Sequence, residues 1–105
     1  MKFTTHNQHS VGLRGTLMIG TMQAQLRQLT AVFGQPLTNT DPRVAAEWRI
    51  RFSDGMVASI YTWNQPLPEQ DEVIVWRIGA AAQFMVARVH EAFREGLAAS
   101  REQAA

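Results

Sequence analysis

The chain has no cysteine. Disulfides, thiolate nucleophiles and thiolate zinc sites are therefore excluded, and a reducing compartment is the natural setting. It also lacks an excess of either charge: ten Lys and Arg against nine Asp and Glu leave a formal net charge of +1. General nucleic-acid binding, which draws on a strong basic excess, is not expected. No apolar run approaches the roughly 20 residues that a membrane-spanning helix needs. The opening "MKFTTHNQHSVG" has no apolar stretch of the kind a secretory signal carries. No membrane partner is expected, and the location expected is the cytoplasm. Common catalytic signatures are missing too: there is no P-loop, no G-x-S-x-G, no G-x-G-x-x-G and no H-E-x-x-H. A non-enzymatic role is expected, with no cofactor.

What is present is an ordinary globular balance of 46% hydrophobic and 18% charged residues over 105 positions. That is one domain. A domain of this size leaves much of its surface exposed, so another copy covering an apolar face would help. Residues 1–12 read as a flexible N-terminal arm or a short edge strand, and 13–105 as a single α+β domain. Two histidines, His6 and His9, lie in the arm, but no carboxylate joins them at metal-ligand spacing.

Residues 14–20, "RGTLMIG", read as a strand. A helix follows, with Thr21 as N-cap and Met22, Leu26, Leu29, Val32 and Phe33 along one stripe. Gly34 and Pro36 stop it. "EWRIRFSDGMVASIYTW", residues 47–63, reads as a hairpin. If Asp54 and Gly55 are its two turn residues, Phe52 opposes Val57, Ile50 opposes Ser59, Trp48 opposes Tyr61 and Ala46 opposes Trp63 on the core face. Arg51 then opposes Ala58, Arg49 opposes Ile60, and Glu47 opposes Thr62 on the other. A three-residue loop would flip one strand. Residues 72–78, "EVIVWRI", form a further strand, apolar on both faces and expected to be covered on both, and Gly79 ends it. Residues 80–103 make a long helix with Met85, Val86, Val89, Phe93 and Leu97 as its stripe and Phe84 away from it. The order β-α-β-β-β-α describes an antiparallel sheet with helices packed on one face.

Strand alternation places Arg49, Arg51 and Arg77 on the side away from the Trp48 core. Guanidinium groups among aliphatic side chains can hold phosphate with two hydrogen bonds. The same pattern serves a solvated sheet face, or a subunit interface where arginines meet carboxylates. Among the aromatics, Tyr61 is expected to pack in the core opposite Trp48. Trp63, at a strand end, is the one expected to be partly exposed and able to stack on a base.

Three segments, "GTLMIGTMQAQLRQLTAVFGQP", "EWRIRFSDGMVASIYTW" and "VWRIGA", carry a resemblance. They resemble a group of small bacteriophage-encoded proteins. That group shows a helix ending in Phe-Gly-x-Pro, a Trp strand, a DG turn, an Ile-Tyr-x-Trp strand and a late Trp-x-Ile-Gly-Gly. The matching positions are Phe33, Gly34, Pro36, Trp48, Asp54, Gly55, Ile60, Tyr61, Trp63, Trp76, Ile78 and Gly79; the last glycine is Ala80 here. The resemblance covers roughly residues 15–80. It implies a role against bacterial defence in the host cytoplasm. In that role the protein sequesters a small anionic ligand, a cyclic nucleotide or cyclic ADP-ribose type immune signal; a homodimer or higher homo-oligomer is expected on separate grounds, because Val73, Val75, Ile60 and Phe84 exceed what two helices on one face can cover. Arg49, Arg51 and Arg77 would hold phosphates, and Tyr61 or Trp63 would stack on a base. The alternative is a protein-interaction module that inhibits a host protein through the sheet face or the last helix.

Overall fold

The computed structural model describes residues 3–5, 15–37 and 41–104. Strand β1 is Phe3–Thr5, β2 is Leu17–Gln25, helix α1 is Leu26–Phe33, β3 is Glu47–Phe52, β4 is Val57–Tyr61, β5 is Val73–Ala80, and helix α2 is Phe84–Ala104. The strands form one sheet in the order β1-β3-β4-β5-β2, and each pair of neighbours is antiparallel. This is the α+β arrangement expected. Of the N-terminal segment, Phe3–Thr5 pair with β3 as a short edge strand. His6 and His9 lie outside the described residues.

The hairpin corrects the expected register. The N–H of Phe52 donates to the carbonyl of Met56 at 2.9 Å, so three residues, not two, make the loop. Gly55 sits at φ 87°, a left-handed conformation that suits glycine in a three-residue hairpin. Asp54 fixes the loop by accepting the Met56 N–H on Oδ1. The one extra residue shifts every pair: Arg51 faces Val57, Ile50 faces Ala58, Arg49 faces Ser59, Trp48 faces Ile60, and Glu47 faces Tyr61. Strand β4 is therefore turned over relative to the expectation. Ala58 and Ile60 enter the core, while Tyr61 leaves it for the arginine face.

A second correction concerns β2 and α1. Thr21 is not an N-cap, because the strand continues through it to Gln25. Trp76 explains why: its indole N–H donates to the Ala24 carbonyl, and Met22 and Ala24 bury beside it on the sheet's core side. Helix α1 starts only at Leu26, with the Gln28 side-chain oxygen accepting the Gln25 N–H. It ends as expected after Phe33, where the Gly34 N–H donates to the Thr30 carbonyl. A third correction is small. β5 does not stop at Gly79 but runs to Ala80, so α2 begins four residues later than expected.

Both helices cover one face of the sheet. Leu29 and Phe33 of α1 and Met85, Val89 and Ala92 of α2 bury against Trp48, Ile50, Ile60, Trp76 and Ile78. Trp48 and Trp76 meet edge to face at 5.3 Å. Both indole N–H groups are satisfied by backbone carbonyls, as buried indoles require; that of Trp48 donates to Gly34 at 2.7 Å. The outer edge of β2 is closed by α2: His90 Nε2 lies 2.9 Å from the Thr21 carbonyl, and Gln83 Nε2 donates to the Ile19 carbonyl. Such contacts keep an edge strand from pairing with another chain. The opposite face of the sheet carries neither helix. On it Val73 is 60% exposed and Val75 50%, so this chain covers β5 on one side only.

Candidate functional site: a groove on the uncovered face of the sheet

Antiparallel partners share a face, so the register lays out the uncovered side as rows. Glu47, Tyr61, Arg77 and Thr21 form one row across β3, β4, β5 and β2. Arg49, Ser59, Gly79 and Met18 form the next. Arg51 and Val57 lie a row further along. A β-bulge at Ile19 bends β2 between Met18 and Gly20. Bulges re-aim side chains, and this one borders the first two rows.

Two adjoining hollows share Met18 and Trp63. One, of about 240 Å³, is lined by Met18, Glu47, Ser59, Tyr61, Trp63 and Gly79 among others. The other, of about 250 Å³, is lined by Met18, Thr21, Trp63, Gln65, Val75 and Arg77. Together they make a groove that crosses the sheet at the level of Tyr61 and Arg77. Gly79 sets its floor. A Cβ at that position would lie 2.8 Å from Ser59 Oγ and 3.6 Å from Tyr61 Cε1. The missing side chain is thus what opens the recess over Ser59. Ala80, where the resemblance would place a second glycine, is fully buried on the core side and takes no part in the groove.

The polar groups of the groove differ in how they are held. Glu47 is buried, and its Oε1 lies 3.3 Å from Arg49 Nε. Arg49 is therefore committed to an internal ion pair. Arg77 has no carboxylate partner among the described residues; its guanidinium stands 6.0 Å from the Trp63 ring. Arg43 stacks closer on that ring, at 4.6 Å, while its own guanidinium is bonded to both carboxylate oxygens of Asp41. Trp63 thus has two guanidinium groups near its ring, a favourable setting for an indole. Partial burial pushes the Tyr61 phenol up from its ordinary pKa; the positive charge of Arg77 opposes that and the charge of Glu47 adds to it.

Five residues were expected at a ligand site, and all five lie on the uncovered face, but not together. Tyr61, Trp63 and Arg77 line the groove. Arg49 is tied to Glu47 at its edge. Arg51 is exposed, four residues along and two strands across from Arg77, or roughly 17 Å away from standard sheet spacings. It lines neither hollow of the groove. Sequence alone did not single out Ser59, Met18 or Arg43, and it marked Gly79 only as a strand end and a position of the resemblance. The hairpin register would have found Ser59, because it decides which β4 residues face outward. Nothing in the spacing marks Arg43. Among the described residues no helix is long and apolar enough to cross a membrane, and no three His, Asp or Glu side chains cluster as metal ligands. Compared with known proteins, the chain matches no family model, no curated protein and no solved structure at a significant level.

Proposed function

We propose that the uncovered face of the sheet binds a small anionic ligand without transforming it, and that the ligand is nucleotide-derived. One observation carries the proposal. Arg77 stands at the groove beside Tyr61 and Trp63 with no carboxylate to neutralise it among the described residues. A cation next to flat aromatic rings suits a phosphate attached to a heterocycle. In the setting that the resemblance implies, the protein is phage-encoded, works in the bacterial cytoplasm and sequesters a cyclic nucleotide or cyclic ADP-ribose type signal. A thermal-shift series with cyclic mononucleotides, cyclic dinucleotides and ADP-ribose isomers tests this. Ligand at 100 times Kd adds about 2.7 kcal/mol, a shift of many degrees for a domain of this size. The wild type should respond to at least one member and the Arg77→Ala variant should not. No response from the wild type to any of them would overturn the proposal.

A second occupant is favoured by Val73 and Val75, exposed on the same face, Val75 at the rim of the groove and Val73 beyond it. Exposed neighbouring valines are ordinary at protein interfaces and costly in water. The occupant we favour is a second copy, giving a homodimer; a host protein is the alternative. Sedimentation at micromolar concentration should return the mass of two chains, and Val75→Lys should return one. A wild-type mass of one chain would remove the homodimer.

A further inference from the structure

Three buried polar side chains are found in the described structure: Glu47, Ser59 and Thr62. Two have their partners. Glu47 meets Arg49, and the Thr62 hydroxyl accepts the N–H groups of Ala45 and Ala46 at 2.8 and 3.3 Å. Ser59 is 3% exposed, and its hydroxyl has no hydrogen-bond partner among the described residues. A buried hydroxyl left without a partner costs stability, so its presence calls for a reason. Alanine or threonine would fill a strand position as well. The surroundings supply the reason. Ser59 pairs directly with Gly79, the one open-face position of β5 that has no side chain. The recess left by Gly79 leads to Ser59 Oγ, only 2.8 Å from where a Cβ would stand. The hydroxyl is thus aimed at the floor of the hollow bounded by Met18, Tyr61 and Trp63.

We propose that Ser59 reads the uncharged end of the ligand, and that the ligand is a nucleoside phosphate lying with its base edge against Gly79 and its phosphate at Arg77. This rests on the ligand-binding function proposed above. Arg77 sits on the strand neighbouring Ser59, two residues from its direct partner. That diagonal spans roughly 7–8 Å. A cation and a neutral hydrogen-bonding group at this separation, with aromatic and thioether walls between them, match a molecule with a ring at one end and an anion at the other. A hydroxyl both donates and accepts, so it can meet the mixed donor and acceptor edge of a nucleobase. A phosphate alone would leave Ser59 unused, and a neutral nucleoside would leave Arg77 unused.

Titration calorimetry with adenosine 5′-monophosphate, adenosine and ribose 5-phosphate, on wild type, Ser59→Ala and Arg77→Ala, tests the assignment. Ser59→Ala should weaken the monophosphate about tenfold, the scale of one hydrogen bond from a desolvated group, and leave ribose 5-phosphate unchanged. Arg77→Ala should weaken both phosphates and leave adenosine unchanged. A readout without ligand accompanies these. Because the hydroxyl serves no internal bond, Ser59→Ala should melt at the wild-type temperature or above it. Two results would overturn the role of Ser59 while sparing the ligand site: a melting temperature several degrees lower, or wild-type affinity for the monophosphate in Ser59→Ala when Arg77→Ala has lost it. If none of the three probes binds the wild type at millimolar concentration, this inference falls, while the proposed function stands or falls with the thermal-shift series.

Discussion

Replacing Gly79 by alanine places one methyl group where the groove floor now lies open. The new Cβ would meet Ser59 Oγ at 2.8 Å, well inside contact distance. The next atoms, the Leu17 carbonyl oxygen and Tyr61 Cε1, stand at 3.6 Å, an ordinary contact. The penalty therefore comes from Ser59 alone. Overpacking costs about 1–3 kcal/mol, and the lower end applies because a serine hydroxyl can swing about one torsion. For a domain of about 100 residues 1 kcal/mol lowers the melting temperature by about 4–8 °C. The same substitution in a Ser59→Ala background meets no Oγ. Gly79 is not among the glycines with positive φ, so alanine fits its backbone. There Gly79→Ala should be neutral or stabilise by up to about 1 kcal/mol, through a less flexible unfolded chain. The double-mutant cycle should accordingly show a coupling of about 1 kcal/mol or more, read by urea denaturation of the four proteins. Equal costs in both backgrounds, within about 0.3 kcal/mol, would refute the contact between positions 59 and 79 and the groove floor with it.

Arg77→Ala should weaken a phosphate-bearing ligand by about 1.5–3 kcal/mol, the worth of a hydrogen bond to a charged group, whereas Arg51→Ala, two rows and two strands removed, should change affinity by less than about 0.5 kcal/mol; calorimetry separates the two. Tyr61 is the chain's one tyrosine, so its ionisation can be followed by ultraviolet absorbance without interference from another. Arg77→Ala removes the charge that restrains its pKa, and the titration should move further up; an unmoved curve would place Arg77 away from the phenol. The Arg88 guanidinium, bonded to Asp54 Oδ2 at 2.7 Å, together with the Met56 N–H, holds the Asp54 carboxyl below its ordinary range. A depressed carboxylate stabilises the fold above its unfolded pKa and loses that contribution as pH falls through the folded value. Urea midpoints should thus fall on acidification below about pH 4, and less steeply in Asp54→Asn.

Much of the fold was legible because several signals agreed. The Leu26, Leu29 and Phe33 stripe, followed by Gly34 and Pro36, fixed the end of α1, and the aromatic and β-branched runs fixed β3, β4 and β5. The start of α1 was not legible, since Met22 and Leu26 fit a helical stripe as well as Met22 and Ala24 fit strand alternation. Tertiary contact decided it, through the Trp76 bond to Ala24. The hairpin register failed for a similar reason. An Asp-Gly pair serves two-residue and three-residue loops alike, and both phases of β4 carry large side chains: Ile60 in one, Tyr61 and Trp63 in the other. That single residue decides the site. With the shorter loop Tyr61 and Ser59 would be core; with the longer one they join Arg77 on the uncovered face. The orphaned Ser59 hydroxyl lies further from the sequence still, because it is a property of what surrounds the residue.

The indole N–H groups offer the most direct test of ligand binding in the groove. The chain has three tryptophans, and two of them, Trp48 and Trp76, donate to backbone carbonyls inside the core. Trp63 lines both hollows of the groove. A nitrogen-15 correlation spectrum of the protein should therefore show three indole signals. Adding adenosine 5′-monophosphate should move the Trp63 signal in a saturable way in the wild type and not in Arg77→Ala, with Trp48 and Trp76 nearly still. A Trp63 signal that stays in place at millimolar ligand, or moves equally in Arg77→Ala, would contradict the account.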